Sequence, residues 1–411
     1  MDVKKHVPLI VTSGITILVW LFFLVCWQKV YFNIGPYENP PAIVSSPNPI
    51  PSATVAPIIP FKKIESVILP SIHSRVDLGL ANVREQSPNI FAYAHGTVVA
   101  DGRIFIGMAD VAGNPFETNQ IVIFGKGTDI SRPVIVTLPA KGDVESMIFD
   151  AVNDRIYFQL SNNSSLQIYS LNPQTYAVST IISTTTVDGG KKPAIVTDGA
   201  YIYGITNTDP SAIFKVKIIG GDLMMDFKDH IPNGHSAAIG IYGSSTELYF
   251  GGGMINGFEK ADARTLRPIY ATEISPCSMS DDMPFVQNST STGYIYVGCE
   301  TVPYGLRIHT NDLSYERFYL PGSSLGLFIY GNDVYNAARD GYVDLFPKGD
   351  LGTLWRYRVE NPIKPFDTKG QNLEINEIFY DRGDSKLYLT AWNGIKGLYE
   401  VATSTLDLSK L

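Results

Sequence analysis

The most regular feature of this chain is a short phrase in which a polar turn precedes an aliphatic residue and then an aromatic one. Seven residues close the phrase: Phe105, Tyr157, Tyr203, Tyr249, Tyr296, Tyr335 and Tyr388. The first and last of them are 283 residues apart, so six steps give a mean spacing of about 47 residues. A fixed period of roughly 20–50 residues indicates a repeat architecture.

Each phrase predicts the second strand of a four-stranded unit. Asp, Asn and Gly tolerate the tight corner between two strands, and the alternation that follows suits a strand packed on both faces. Short apolar runs precede most phrases, as at residues 97–100 and 194–196, and predict the first strands. Further strands follow the phrases, as at residues 166–171. Together these signals favour short strands and tight turns over helices.

Seven such units predict an all-β fold, a seven-bladed β-propeller of four-stranded antiparallel blades over residues 61–411, preceded by one N-terminal transmembrane helix. The pattern resembles the broad β-propeller superfamily of YVTN and quinoprotein-like repeats. It contains no Trp-Asp dipeptide, sialidase Asp-box or quinoprotein tryptophan-docking signature, so the resemblance implies the fold and no particular activity. Spacings of 39, 52 and 53 residues leave six or eight blades open as alternatives.

Residues 61–69 predict an isolated strand ahead of the first full repeat. The last repeat ends soon after Val401, and only residues 406–411 remain for its outer edge. We therefore expect the 61–69 strand to pair into the final blade and to join both ends of the domain. The alternative is that residues 61–69 extend the proline-rich segment that precedes them.

Residues 7–28 form an uncharged, predominantly apolar run that predicts a transmembrane signal anchor. About twenty helical residues cross the hydrocarbon core of a bilayer. Lys4 and Lys5 precede the run and only Lys29 closely follows it, which places residues 1–6 in the cytoplasm. The C-terminal domain is then extracytoplasmic, at the cell surface or in the periplasm. A cleaved signal peptide is the alternative, but its apolar core would be shorter and would end in small residues.

Residues 29–60, which we call the stalk, contain eight prolines between Pro36 and Pro60. Proline stiffens such a segment towards the extended polyproline II conformation, so the stalk is predicted to be a spacer. A ligand for aromatic grooves is the alternative.

The net charge excludes one class of partner, and the cysteine content leaves two residues that could form a disulfide. The formal net charge is −8, and Lys and Arg form no run longer than a pair, which excludes nucleic acid as a favoured partner. Cys26 lies in the predicted anchor, which leaves Cys277 and Cys299. Outside the cytoplasm, Cys277 and Cys299 either form a disulfide or are two small buried hydrophobic residues, and the sequence leaves both alternatives open.

The candidate site lies where the loops that lead into the first strands and those that follow the second strands share one face around the central channel. The lead-in loops supply one polar residue each: His95, Glu145, Lys192, His235, Asp282, Ser324 and Glu374. The loops after the second strands add Asp110, Asn207, Asp209, Asn256, Glu300, Arg339, Asp340, Trp392 and Asn393. The predicted ligand-binding set is His95, Glu145, Lys192, His235, Asp282, Glu374, Arg339 and Trp392.

Two ligands fit this set. Carboxylates and imidazoles that converge on one axis can hold a divalent cation, and the same groups beside Trp392 can hold a sugar. The alternative is that these residues are polar only because the mouth of a propeller is wet. No cofactor is otherwise predicted.

No catalytic constellation stands out, because H-E-x-x-H is absent and the histidines are scattered. The favoured interpretation is a binding module that recognises an envelope or cell-surface protein or a glycan. The alternative is a metal-dependent propeller hydrolase or lactonase with its site at the channel mouth.

Overall fold

A computed structural model describes most of the chain from Ile58 to Asp407. The described residues are 58–59, 63–69, 72–77, 92–110, 119–125, 134–161, 165–185, 194–206, 208–228, 231, 234–242, 245–252, 257–273, 277, 286–287, 293–299, 302–320, 324–330, 333–338, 342–347, 353–359, 374–381, 386–395 and 398–407. The predicted anchor lies outside these residues, as does the stalk apart from its residues 58 and 59. None of the described residues belongs to a helix long and apolar enough to cross a membrane.

Three short strands precede the repeats. They are β1 (Ile58–Ile59), β2 (Lys63–Leu69) and β3 (Ile72–Asp77). The following strands form sheets in which neighbours along the chain pair antiparallel, as expected for hairpin-connected strands.

The first four sheets each use four consecutive strands. Sheet 1 comprises β4 (Ala92–Ala100), β5 (Arg103–Asp110), β6 (Gln120–Gly125) and β7 (Val134–Thr137). Sheet 2 comprises β8 (Asp143–Asp150), β9 (Arg155–Ser161), β10 (Leu166–Leu171) and β11 (Val178–Thr184). Sheet 3 comprises β12 (Ala194–Thr197), β13 (Tyr201–Ile205), β14 (Ser211–Lys217) and β15 (Leu223–Lys228). Sheet 4 comprises β16 (Gly234–Tyr242), β17 (Ser245–Gly252), β18 (Gly257–Asp262) and β19 (Pro268–Glu273), and β20 (Val286–Gln287) pairs in parallel with β16.

The last three sheets combine consecutive strands with one N-terminal strand each. Sheet 5 contains β21 (Tyr294–Gly298), β22 (Tyr304–His309) and β23 (Tyr315–Tyr319), with β1 on its outer edge. Sheet 6 contains β24 (Ser324–Tyr330), β25 (Asp333–Ala338), β26 (Tyr342–Pro347) and β27 (Thr353–Val359), with β2 on its outer edge. Sheet 7 contains β28 (Glu374–Asp381), β29 (Lys386–Ile395) and β30 (Leu398–Asp407), with β3 on its outer edge.

The seven sheets of the described residues follow one another in a closed order. Successive sheets from sheet 1 to sheet 6 share buried apolar clusters. The first strand of sheet 6 contacts that of sheet 7, which in turn contacts β4 of sheet 1. The sequence prediction of an all-β fold built from four-stranded antiparallel sheets is therefore confirmed.

The aromatic residues of the repeated phrase form the centre of the core. Six of them (Phe105, Tyr157, Tyr203, Tyr249, Tyr296 and Tyr335) are at most 3% exposed, and Tyr388 occupies the same place on β29. Burial raises the pKa of Tyr157 to about 12, and burial together with Asp198 raises the pKa of Tyr203 further. The hydroxyl of Tyr203 donates to Asp198 Oδ2 at 2.8 Å, in the turn that opens its own phrase. The turn residue and the aromatic residue thus stabilise one another.

Lysines on the third strands of sheets 3 and 4 tie each of these two sheets to the next one. Lys215 of β14 donates to the Ala263 carbonyl of sheet 4 at 2.9 Å. Lys260 of β18 donates to the Thr310 carbonyl of sheet 5, also at 2.9 Å. Each lysine lies opposite the aromatic residue of the phrase in its own sheet, so one position of the repeat serves both the core and the contact between sheets.

A buried ion pair joins sheets 3 and 4. Lys228 Nζ at the end of β15 lies 2.9 Å from Glu259 Oε1 on β18, and the two side chains are 3% and 0% exposed. The same ammonium group lies 2.7 Å from Asp226 and donates to the Leu266 carbonyl at 3.1 Å. Several partners thus compensate the loss of water around this lysine, as burying a charge requires.

The three N-terminal strands, which we call the belt, add one strand to each of three successive sheets. β1 pairs in parallel with β23, β2 pairs in parallel with β27, and β3 pairs antiparallel with β30. The prediction that residues 61–69 pair into the final blade is wrong, because β2 joins sheet 6. β3 takes that place in sheet 7, which has three strands of its own. Alternating polarity identifies a strand but not the sheet edge that accepts it.

Candidate functional site

The predicted site belongs to the end of the sheets where the first strands begin and the second strands end, which we call the mouth face. His95 lies on β4, Glu145 on β8 and His235 on β16, each within four residues of the start of its strand. Glu374 is the first residue of β28 and lies directly opposite Trp392 of β29. The structure therefore brings one carboxylate-bearing residue and one tryptophan of the predicted set together.

The other predicted residues have different placements. Ser324 opens β24 and is fully buried, Asp110 ends β5, Asp209 is exposed before β14, and Asn393 follows Trp392 on β29. The remaining residues lie outside the described part of the chain: Lys192, Asn207, Asn256, Asp282, Glu300, Arg339 and Asp340. Their role at the mouth face stays a prediction.

The first strands share a β-bulge near the mouth face that sequence reasoning missed. In five sheets the first strand has one residue inserted relative to the second strand. The inserted residues are Gly96, Glu145, His235, Leu325 and Asn376. A bulge redirects a side chain and is over-represented beside functional sites. Two residues of the predicted set, Glu145 and His235, are themselves the inserted residues, and His95 immediately precedes Gly96.

Hydrogen bonds between neighbouring sheets hold this face together. The Asn119 amide before β6 donates to the Gly142 carbonyl before β8 at 3.0 Å. The Gly234 amide at the start of β16 donates to Ser211 Oγ of sheet 3 at 2.6 Å. These contacts join the end of one sheet's loop to the first strand of the next, so the mouth face is built on connected backbone.

A disulfide lies at the mouth face of sheet 5. Cys277 and Cys299 are joined, with sulfurs 2.10 Å and Cα atoms 5.2 Å apart, and both residues are at most 2% exposed. Cys299 follows β21, and its carbonyl accepts the Ser324 amide at the start of β24 at 3.2 Å. The bridge thus fixes the loop ahead of β21 to the junction of sheets 5 and 6. Disulfides persist mainly in oxidising compartments.

Replacing both bridged cysteines by serine is expected to lower the free energy of unfolding by about 3 kcal/mol. The bridge closes a loop of 22 residues, and a loop of about that length costs the unfolded chain this much entropy. Urea unfolding of the full chain, followed by tyrosine fluorescence, measures the change. Cys26→Ser serves as the control in the full chain, and equal stability of all three proteins would contradict the expectation.

A buried polar pair on sheet 6 was also missed. Asn336 of β25 donates from Nδ2 to Asp344 Oδ2 of β26 at 3.2 Å, and both residues are fully buried. Asn336 directly follows the phrase aromatic Tyr335 in sequence, on the opposite face of β25. A polar residue after the aromatic, at a position apolar in other repeats, is the signal that would have identified it.

The described residues contain no group of three or more His, Cys, Asp or Glu that could hold a metal ion. The predicted divalent cation stays a prediction. The described part of the mouth face has polar residues on bulged strands (His95, Glu145 and His235). It also has Trp392 opposite Glu374.

Comparison with solved structures agrees with the fold. The WD40 domain of Neurospora crassa Pan2 is similar over 82% of this chain and 97% of its own length, with a TM-score of 0.56 and 9% identity. The structure of U3-55K is similar over 76% of this chain and 95% of its own, with a TM-score of 0.56 and 10% identity. No protein-family model and no curated protein matches the chain. Identities this low indicate a shared β-propeller fold alone.

Proposed function

We propose that this chain is a membrane-anchored, extracytoplasmic, seven-bladed β-propeller that binds a protein or glycan partner at its mouth face. The observation that carries the proposal is the mouth face itself, where the bulged first strands carry Glu145 and His235 at the bulge and His95 one residue before it. A pocket or face with a few convergent polar groups on a rigid scaffold is the usual form of a recognition site.

The blade count and the compartment have separate support. Seven sheets in closed order among the described residues support seven blades. The buried disulfide supports an oxidising compartment, which agrees with an N-terminal anchor that leaves the domain outside the cytoplasm. Trapping of free thiols in freshly lysed cells tests the compartment, because reduced Cys277 and Cys299 would contradict it.

The pairing of Glu374 with Trp392 fits both partner classes. A tryptophan ring offers an apolar face and a hydrogen-bond donor, and a neighbouring carboxylate accepts hydroxyl or amide protons. The hydrolase or lactonase alternative stays a prediction, because the described residues contain no cluster of three or more His, Cys, Asp or Glu.

A photocrosslinking residue at Glu145 or His235 of the full chain in its native membrane is expected to capture the partner. The same residue at Ser179 of β11, an exposed position on the outer edge of sheet 2, is the matched control. Denaturing gels report the adduct, and glycosidase treatment separates a glycan from a protein. Adducts of equal intensity at Ser179, or none at either mouth-face position, would overturn the proposal.

A further inference from the structure

Two fully buried polar side chains of sheet 6 each have one atom without a hydrogen-bond partner in the described part of the chain. Ser324 at the start of β24 and Asn336 on β25 are both 0% exposed. The atoms are the hydroxyl oxygen of Ser324 and the side-chain carbonyl oxygen of Asn336. A buried polar atom without a partner destabilises the folded state, so native proteins retain few of them. Two such atoms on one sheet therefore indicate a bound group that supplies the missing hydrogen bonds.

Ser324 and Asn336 project from the same face of sheet 6. In the pairing of β24 with β25, Ser324 lies opposite Ala338, and Leu327 lies opposite Asn336. Opposed residues of an antiparallel pair share a face, and so do residues two apart on one strand. Leu327 packs in the apolar cluster that joins sheet 6 to Phe318 of sheet 5. The face that carries Ser324 and Asn336 is therefore directed at sheet 5.

The separation of the two residues suits one bridging molecule. Asn336 is two residues from Ala338, the partner of Ser324, so Ser324 and Asn336 are diagonal neighbours. Such neighbours are about 7–8 Å apart, which is too far for a direct hydrogen bond between two short side chains. The Asn336 amide nitrogen donates to Asp344 Oδ2 at 3.2 Å on the other side of β25. Its carbonyl oxygen is left for a different partner.

Sheet 5 presents a residue without a side chain beside Ser324. The Ser324 amide donates to the Cys299 carbonyl at 3.2 Å, which brings Ser324 close to the preceding residue, Gly298. Tyr296 packs in the cluster shared with sheet 6, and Gly298, two residues further along, projects from the same face of its strand. Gly298 is buried as well. The polar atoms of sheet 6 thus face a position where sheet 5 contributes backbone only.

We propose that one buried water molecule binds at the junction of sheets 5 and 6, where it accepts a hydrogen bond from the Ser324 hydroxyl and donates one to the Asn336 carbonyl oxygen. Water suits this pair because it both accepts and donates, whereas a metal ion would leave the hydroxyl proton unbonded. The water joins the first and second strands of sheet 6 where the bulge at Leu325 interrupts their pairing. The proposal is independent of the partner that the mouth face binds.

A high-resolution crystal structure of the full chain tests the proposal directly. One density peak is expected at about 2.7–3.0 Å from both Ser324 Oγ and Asn336 Oδ1, the range of hydrogen bonds to water. A site without density would overturn the proposal. So would a peak at about 2.3–2.6 Å from these oxygens, because such distances identify a cation such as Ca²⁺.

Thermal unfolding of the Ser324→Ala variant in the full chain is an independent test, because its sign depends on the water. If the water is bound, the variant removes one of its hydrogen bonds, and the melting temperature is expected to fall by at least about 1 °C. If no water is bound, the variant deletes an unpartnered buried hydroxyl, and the melting temperature stays unchanged or rises. The second result overturns the proposal.

Ser211→Ala is the matched control for a buried hydroxyl that has partners. Ser211 opens β14, is fully buried, accepts the Gly234 amide at 2.6 Å and donates to the Thr208 carbonyl at 3.0 Å. Its replacement is expected to lower the melting temperature, which shows that the measurement resolves the loss of such contacts. Should Ser324→Ala fail to fold, the crystal structure of the unmodified chain decides the question.

Discussion

The Glu259→Ala variant is expected to lose roughly 3 kcal/mol or more of unfolding free energy, the range measured when one partner of a buried ion pair is removed. Glu259 is fully buried, and the Lys228 ammonium group 2.9 Å away is buried as well. Removing the carboxylate leaves a charge in the junction of sheets 3 and 4, where water does not reach it. Chemical denaturation of the full chain measures the loss.

Asp226→Asn is the matched control, because it removes the other carboxylate that contacts the same lysine. Asp226 is 42% exposed, so water replaces its contact at little cost, and the expected loss is below about 1 kcal/mol. A Lys228→Met, Glu259→Met double variant should recover most of the stability, since it buries no charge. Equal losses in Glu259→Ala and Asp226→Asn would show that burial does not decide the strength of this contact.

The repeat could be predicted from the sequence because each phrase is complete in itself. A turn residue such as Asp198 and an aromatic such as Tyr203 lie five positions apart and interact within one hairpin. The pair of Lys228 and Glu259 connects two sheets, and no local pattern relates these residues. The pairing of β3 could not be predicted for the same reason, since its partner β30 lies more than 300 residues further along the chain.

The candidate site also has features that the local sequence predicts and features that depend on pairing between strands. Counting back from the phrase aromatics placed Glu145 and His235 in the loops that lead into the first strands, whereas the structure has them on β8 and β16, near the starts of these strands. The bulges at these two residues could not be anticipated, because a bulge is defined by the register with the second strand and not by composition. The contact of Asn336 with Asp344 likewise depends on the register between β25 and β26.

Replacing residues 72–77 with a six-residue Gly-Ser linker is expected to destabilise the domain far more than replacing residues 63–69 with a seven-residue one. β3 is the fourth strand of sheet 7, whose other three strands come from the C-terminal end of the chain. Six residue pairs join β3 to β30. At about 0.5–1.5 kcal/mol for each hydrogen bond, their loss amounts to roughly 3–9 kcal/mol. Seven residue pairs join β2 to β27, so the expected difference between the two variants comes from the number of strands that each sheet keeps and not from the number of bonds lost. β2 is a fifth strand on sheet 6, which keeps four strands without it.

Hydrogen exchange distinguishes the two effects by position. The linker at 72–77 should expose the amides of β30 and of β29 next to it, because sheet 7 then has only three strands left to exclude water. The linker at 63–69 should raise exchange only along β27 (Thr353–Val359), the partner of β2. If both variants lose the same stability, the belt acts as one unit along its whole length. If neither variant loses stability, the sheets close into one domain without the belt. The contact of β28, the first strand of sheet 7, with β4 of sheet 1 would then join the last sheet to the first.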